Sequence, residues 1–185
     1  VDFIDNFAIQ NALEILSDIK KKFRATAIIG RKAEFWADNL NFKNTTLIGE
    51  SENLDFSKKK FDLVIHALSL HHCNDPVGQL IQVRQALQPD GLMLAFLLGG
   101  ETLCELRASF KAAEIKVENG ISPRVAPMIE IRDAGDLLVR SGFALSVADR
   151  NELVVSYESP IDLLNDLRGM GETNIMVNRQ KSFLK

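Results

Sequence analysis

Two apolar runs, Phe61–Ala67 and Leu92–Leu98, narrow the possible folds more than any other feature of the chain, because both are too hydrophobic to alternate. A strand with one wet face alternates apolar and polar residues, whereas a run that is apolar almost throughout suits a parallel sheet covered on both faces. Between the runs, Asp75-Pro76 supplies a helix cap and a first-turn proline. Val77, Leu80, Ile81, Arg84 and Leu87 follow at helical spacing until Pro89-Asp90-Gly91 forces a turn. Strand, helix and strand of this kind make the βαβ unit of an α/β sheet with a right-handed crossover.

The flanking segments fit that frame. Ile4, Phe7, Ala8, Ala12, Ile15, Leu16 and Ile19 share one helical face that ends in Lys20-Lys21-Lys22. Ala25–Ile29 reads as a short buried strand closed by Gly30, residues 31–40 as a helix carrying Trp36, and Thr45–Ile48 as a second strand. A helix through Leu103, Leu106, Phe110, Ala113 and Val117 follows Leu98. Asp133 is then expected to cap a short helix that stops at Gly142, with Phe143–Val147 and Leu153–Tyr157 as a hairpin-like pair of strands. Ser159-Pro160 repeats the cap-plus-proline signal ahead of a helix ended by Gly169-Met170-Gly171. No repeat, low-complexity stretch or linker interrupts the chain, so residues 1–185 are read as a single domain.

Composition removes several classes of function. A chain of 185 residues buries roughly 70% of its unfolded surface without staples. Its 46% hydrophobic and 25% charged content excludes disorder, and a net charge of −3 lends a nucleic-acid role no support. Leu92–Leu98 is far shorter than the ~20 residues that cross a bilayer, so no transmembrane segment is expected. Cys73 and Cys104 are too few for a disulfide framework and suit a reducing compartment. The chain opens at Val1 and is read as part of a longer frame, with any targeting segment out of view.

In such sheets ligands bind at the C-terminal ends of the strands, which directs attention to Leu68–Asp75 and to Gly99-Gly100-Glu101-Thr102. His71, His72 and Cys73 are adjacent donors, but neighbouring side chains of an extended segment point apart, and no metal site is expected. His71 reads either as a crevice-lining residue or as a histidine packed on its loop. Ser69 lacks a glycine elbow and phosphate-loop patterns are missing, so hydrolase and kinase readings fall and no catalytic residue is identified. Gly100 and Glu101 read as an acceptor-binding loop or as the plain end of a strand. Arg107 is the next candidate for acceptor contact, or else a solvated side chain.

The string Phe61-Asp62-Leu63-Val64, Leu68-Ser69-Leu70-His71-His72, Asn74-Asp75 and Leu87-Gln88-Pro89-Asp90-Gly91 resembles the second half of a class I S-adenosylmethionine-dependent methyltransferase. Gly99-Gly100-Glu101-Thr102-Leu103, Glu105-Leu106-Arg107, Ser122-Pro123, Arg132-Asp133 and residues 166–171 narrow the resemblance. They point to the subgroup of the mitochondrial complex I assembly factor 5 and its alphaproteobacterial relatives of the biotin-pathway type. The resemblance implies a Rossmann-like, mostly parallel sheet with an antiparallel C-terminal strand and S-adenosylmethionine as cofactor. It also implies a protein substrate, a complex I subunit in the mitochondrial case. The location would be the matrix side in a eukaryote and the cytoplasm in a bacterium. A degenerate fold serving as a non-catalytic assembly factor or binding module is the alternative.

Carried onto this chain, the cofactor positions are Gly30, Glu50, Ser51, Leu68 and His71, with Glu50 at the adenine-contacting place, and the substrate positions are Gly100, Glu101 and Arg107. The chain departs from the family in its first half. Gly30 is the one glycine of a loop that is normally glycine-rich, and a second strand ending in a ribose-binding acid is not legible between Gly30 and Phe61. About one βα unit is expected to be lost from the chain or missing from the sequence there.

Overall fold

The computed structural model describes residues 1–177 and 179; the remainder of the expected domain, 178 and 180–185, lies outside the described residues. In chain order the elements are α1 (Phe3–Asp18), β1 (Thr26–Ile29), α2 (Ala33–Leu40), β2 (Thr45–Ile48), β3 (Phe61–Ala67), a 3-10 turn (Leu70–His72) and α3 (Pro76–Ala86). They continue with β4 (Leu87–Phe96), α4 (Cys104–Glu118), α5 (Ile131–Arg140) and α6 (Pro160–Met170). The described residues gather into two compact units, one of residues 2–98 and 130–153, the other of Val1 with 99–129 and those from 154 onward.

The larger unit is built on a four-stranded sheet in the order β2-β1-β3-β4, parallel at every pairing. Its two faces divide the strands by residue parity. Ile28, Leu63 and Ile65 pack with Ala8, Ile9 and Ala12 of α1 and with Ala33, Trp36 and Leu40 of α2. Ala27, Ile29 and Val64 pack on the opposite side with Val83 and Ala86 of α3. Double coverage explains why these strands do not alternate, and each fully buried aliphatic side chain contributes about 1.5–3 kcal/mol. The Trp36 indole, wholly buried, donates to Asp5 Oδ1 at 3.0 Å. Lys32 closes on the same carboxylate at 2.6 Å. Burial opposes the lysine's charge, but Asp5 and Asp2 more than offset it and raise its pKa.

Several expected caps and boundaries are met and others are corrected. Asp75 caps α3 by accepting from Gly78 N at 2.8 Å, and Ser159 caps α6 through Asp162 N at 3.3 Å. Glu130, not Asp133, occupies the N-cap of α5, and Asp133 lies in its first turn. Pro89-Asp90-Gly91 is not a free turn before the last strand. Phe61 faces Leu87 while Leu63 already faces Leu92, so the three residues form a bulge inside β4, with Asp90 at φ +60°. The antiparallel C-terminal strand is absent among the described residues: Phe143–Val147 and Leu153–Tyr157 carry no strand. Strands need a partner ladder, and the apolar side chains meant to be buried by alternation stand in solvent, Leu145 at 98% and Val147 at 82% exposure. No helix of the described residues is long and apolar enough to cross a membrane.

Candidate functional site at the strand ends

The C-terminal ends of β1, β2 and β3 lie side by side because Ile29 is in register with both Ile48 and His66. Gly30 continues the β1–β2 ladder, donating to Ile48 O at 3.0 Å. At φ +145° it holds a conformation denied to other residues, and a Cβ there would stand 2.5 Å from Ala67 O. Glycine at this position is therefore demanded by the close approach of β1 to the end of β3. The second strand read from the sequence, Thr45–Ile48, is β2, and the acid that the sequence did not place at its end follows it here. The strand takes the place beside β1, and Gly49 and Glu50 follow it directly. Glu50 comes 20 residues after Gly30, the spacing at which nucleotide-binding α/β units place an acid for a ribose.

Glu50 is partly exposed and meets the Arg31 guanidinium at 3.2 Å. Leu68, the first residue after β3, sits at φ +48°, an uncommon left-handed conformation for a leucine, and donates its N–H to Phe96 O at 3.0 Å. His71 lies in the 3-10 turn beside His72, the ring centres 4.2 Å apart. Gly30, Glu50, Ser51, Leu68 and His71 thus all fall on segments that leave the same edge of the sheet.

The walls of this edge are held by polar groups that the residue pattern did not reveal. His66 is 1% exposed, with Nε2 2.9 Å from Gln79 Oε1 and Nδ1 3.0 Å from Ser69 Oγ. Gln79 Nε2 donates to Ser51 O at 2.6 Å. One turn along α3, Gln82 accepts from Leu54 N at 2.8 Å and donates to Glu52 O at 2.9 Å. Glu52 Oε1 accepts from Asn74 N and Nδ2 at 3.1 and 2.8 Å, and these bonds keep its carboxyl below the usual range. Two glutamines three residues apart were the available signal, since Gln79 takes a buried position in an otherwise ordinary amphipathic helix. Burial pushes the His66 imidazole below its ordinary pKa of 6.5, and it pushes the Cys73 thiol up to about 11. Cys73 therefore stays protonated at neutral pH and is no nucleophile.

The substrate positions expected from sequence fall in the smaller unit. Gly99 bridges Ile129, and Gly100 donates to Ile129 O at 2.7 Å, so this glycine pair is used for backbone pairing. Arg107 is not simply solvated, because it donates to Thr102 O at 3.2 Å, while Glu101 is exposed. The same unit holds a cluster that sequence reading missed. Glu114, 1% exposed, accepts from Ser122 N at 2.8 Å, from Ser122 Oγ and from Arg124 Nε at 2.6 Å. These donors, the Ser122 hydroxyl first, hold its carboxyl down at about 2.

Comparison with known proteins places the chain in a family. Residues 8–95 match the family described as "Methyltransferase domain". The chain is 40% identical over 134 residues to "Arginine-hydroxylase NDUFAF5, mitochondrial" of Danio rerio, covering 72% of this chain and 42% of that protein. It is 41% identical over 135 residues to the Homo sapiens protein of the same name, covering 73% and 39%. "Putative methyltransferase RP459" of Rickettsia prowazekii is 31% identical over 166 residues, 89% of this chain and 73% of that one. The chain spans about two fifths of the length of the mitochondrial relatives. With the Rickettsia relative matched over most of both lengths, the chain belongs to the class I S-adenosylmethionine-dependent methyltransferase family, with similarity to the mitochondrial arginine-hydroxylase NDUFAF5 proteins.

Proposed function

We propose that this chain is the methyltransferase-like part of an enzyme that modifies a protein side chain during respiratory complex I assembly, with S-adenosylmethionine as its cofactor. The observation that carries the reading is Glu50, a partly exposed carboxylate two residues beyond the strand next to β1, beside Gly30. A carboxylate in that place accepts both hydroxyls of a ribose. This revises the adenine contact expected for Glu50 to a ribose contact. Gly49 fits a close ligand as well, since a Cβ there would meet nothing within 4 Å. The nucleoside part of the cofactor would be held by Glu50 and Ser51, with Leu68 and His71 on the facing loop. Bound S-adenosylmethionine supplies an activated methyl group. The protein's own contribution is to orient its ligand, which in such sites supplies much of the rate.

Gly100, Glu101 and Arg107 are proposed to contact the acceptor, and the arginine named in the mitochondrial relatives suggests the side chain it presents. The whole chain is proposed to act as one domain, on the matrix side of a mitochondrion or in a bacterial cytoplasm. Support for one domain is that the Rickettsia relative aligns over 166 residues, a length that neither unit supplies alone.

A second reading, a non-catalytic assembly factor that no longer holds the cofactor, is favoured by Arg31. It follows the single glycine of the loop and already engages Glu50. Calorimetric titration of S-adenosylmethionine and S-adenosylhomocysteine separates the two. Micromolar binding, about −8 kcal/mol, is expected, weakened roughly tenfold to a hundredfold in Glu50→Gln by loss of charge-assisted bonds. No detectable heat from the native protein, with Arg31→Ala equally silent, would establish the second reading and end the first.

A further inference from the structure

The segment from Ser51 to Leu54 has no ladder or helix of its own, yet its backbone is bonded at three successive points by side chains of α3. Gln79 takes Ser51 O, and Gln82 takes Glu52 O and Leu54 N. The direction of every proton in the longer chain follows from its end. Ser51 O is a carbonyl and only accepts, so the Gln79 amide nitrogen must point to it and the Gln79 amide oxygen to His66. That oxygen cannot donate, so His66 carries its proton on Nε2. Nδ1 is then bare and accepts the hydroxyl proton of Ser69 at 3.0 Å. Ser69 in turn opens the 3-10 turn that bears His71, its carbonyl accepting from His72 N at 3.0 Å.

One buried imidazole thereby joins the two loops that carry Glu50 and Ser51 on one side and Leu68 and His71 on the other. We infer that His66 is a positioning residue: through Gln79 and Ser69 it sets the spacing of the two loops, and so the shape of the strand-end crevice, without touching the ligand. This rests on the proposed nucleoside site for its purpose, but the coupling itself exists without any ligand. A histidine present only to fill the α3 side of the sheet would have no required tautomer and no effect on a segment reached through a glutamine.

The test is nitrogen-15 NMR of the ligand-free protein, with amide hydrogen exchange at Leu54 and Trp36 emission as a report on folding from the opposite face of the sheet. The expected result is a neutral His66 protonated at Nε2. His66→Leu and Gln79→Met are expected to speed exchange at Leu54 by about tenfold while Trp36 emission stays native, as loss of one buried hydrogen bond implies. His66→Gln, which restores a donor where Nε2 was, is expected to recover most of the protection. A proton on Nδ1, or Leu54 protection unchanged in Gln79→Met, overturns the inference, and the tautomer decides it even where a variant fails to fold. S-adenosylhomocysteine titrated into the same samples keeps the two ideas apart. Coupling in the free protein with no binding leaves the positioning intact and removes the nucleoside site.

Discussion

The two units order their irregular loops by opposite electrostatic means. In the larger, Ser51–Leu54 is held by neutral groups, the amides of Gln79 and Gln82 and an uncharged His66. In the smaller, Ser122 and Arg124 are held by the ionised Glu114, almost wholly excluded from solvent. A neutral chain costs little to bury once each of its groups is bonded, and the carbonyl at its end fixes its direction. A buried carboxylate is costly to bury unless every lone pair is used, and once it is used it tolerates no loss of a donor. The first arrangement fixes a loop without burying a charge, the second braces a loop around one ionised group.

The contrast also holds at the two strand-end glycines, and the largest effect is expected there. Gly30→Ala should destabilise the larger unit by about 3 kcal/mol, since it combines a forbidden φ with a contact 2.5 Å from a backbone oxygen. Gly100→Ala, at φ +42° near the left-handed region open to other residues, should cost only about 1 kcal/mol. Urea unfolding of both variants checks the ratio, and equal losses would remove the distinction drawn between them.

Next in size, Glu114→Leu should leave Arg124 without its acceptor and expose residues 119–124 to trypsin. Trp36 emission should be unchanged, because Asp5 and the α1–α2 core of the larger unit do not depend on that brace. Cleavage at Arg124 no faster than in the parent protein would show that the carboxylate is dispensable.

The smallest effect is a separation by pH. The His66 pKa is lower folded than unfolded, so the unfolded chain binds the proton more readily. Its contribution is complete above about 6.5 and falls as the pH drops below that value. The Glu114 pKa is depressed, so its contribution is complete above the unfolded 4.5 and is lost on the way down to about 2. Between pH 6.5 and 4.5, melting followed at Trp36 should decline through the His66 linkage while resistance to trypsin at Arg124 holds. Parallel decline of both would show that the units do not respond separately.

Parts of this organisation could be read from the residues alone. Phe61–Ala67 was legible as a covered parallel strand because its apolar run leaves no wet face, and Asp75-Pro76 and Ser159-Pro160 were legible because a cap is a contact within three residues. The expected hairpin at Phe143–Val147 and Leu153–Tyr157 failed for the complementary reason. Alternation shows that a segment could line a sheet, not that a sheet edge is there to receive it. Gly30 and Glu50 are legible as candidates in the sequence, but their common location is not, and nothing in the apolar run Phe61–Ala67 marks His66 for a role.

Sequence by itself determined the α/β class, the family, and the helices and the four strands of the sheet with most of their bounds, all of which depend on neighbours within a turn or a strand. Tertiary structure alone decided that β2 lies against β1, which brings Glu50 beside Gly30, and that α3 lies over His66, which turns an internal histidine toward Gln79. Strand order and helix placement are set by hydrogen bonds and apolar contacts between residues far apart in the chain, and such contacts leave no local pattern for a reader of the sequence to find.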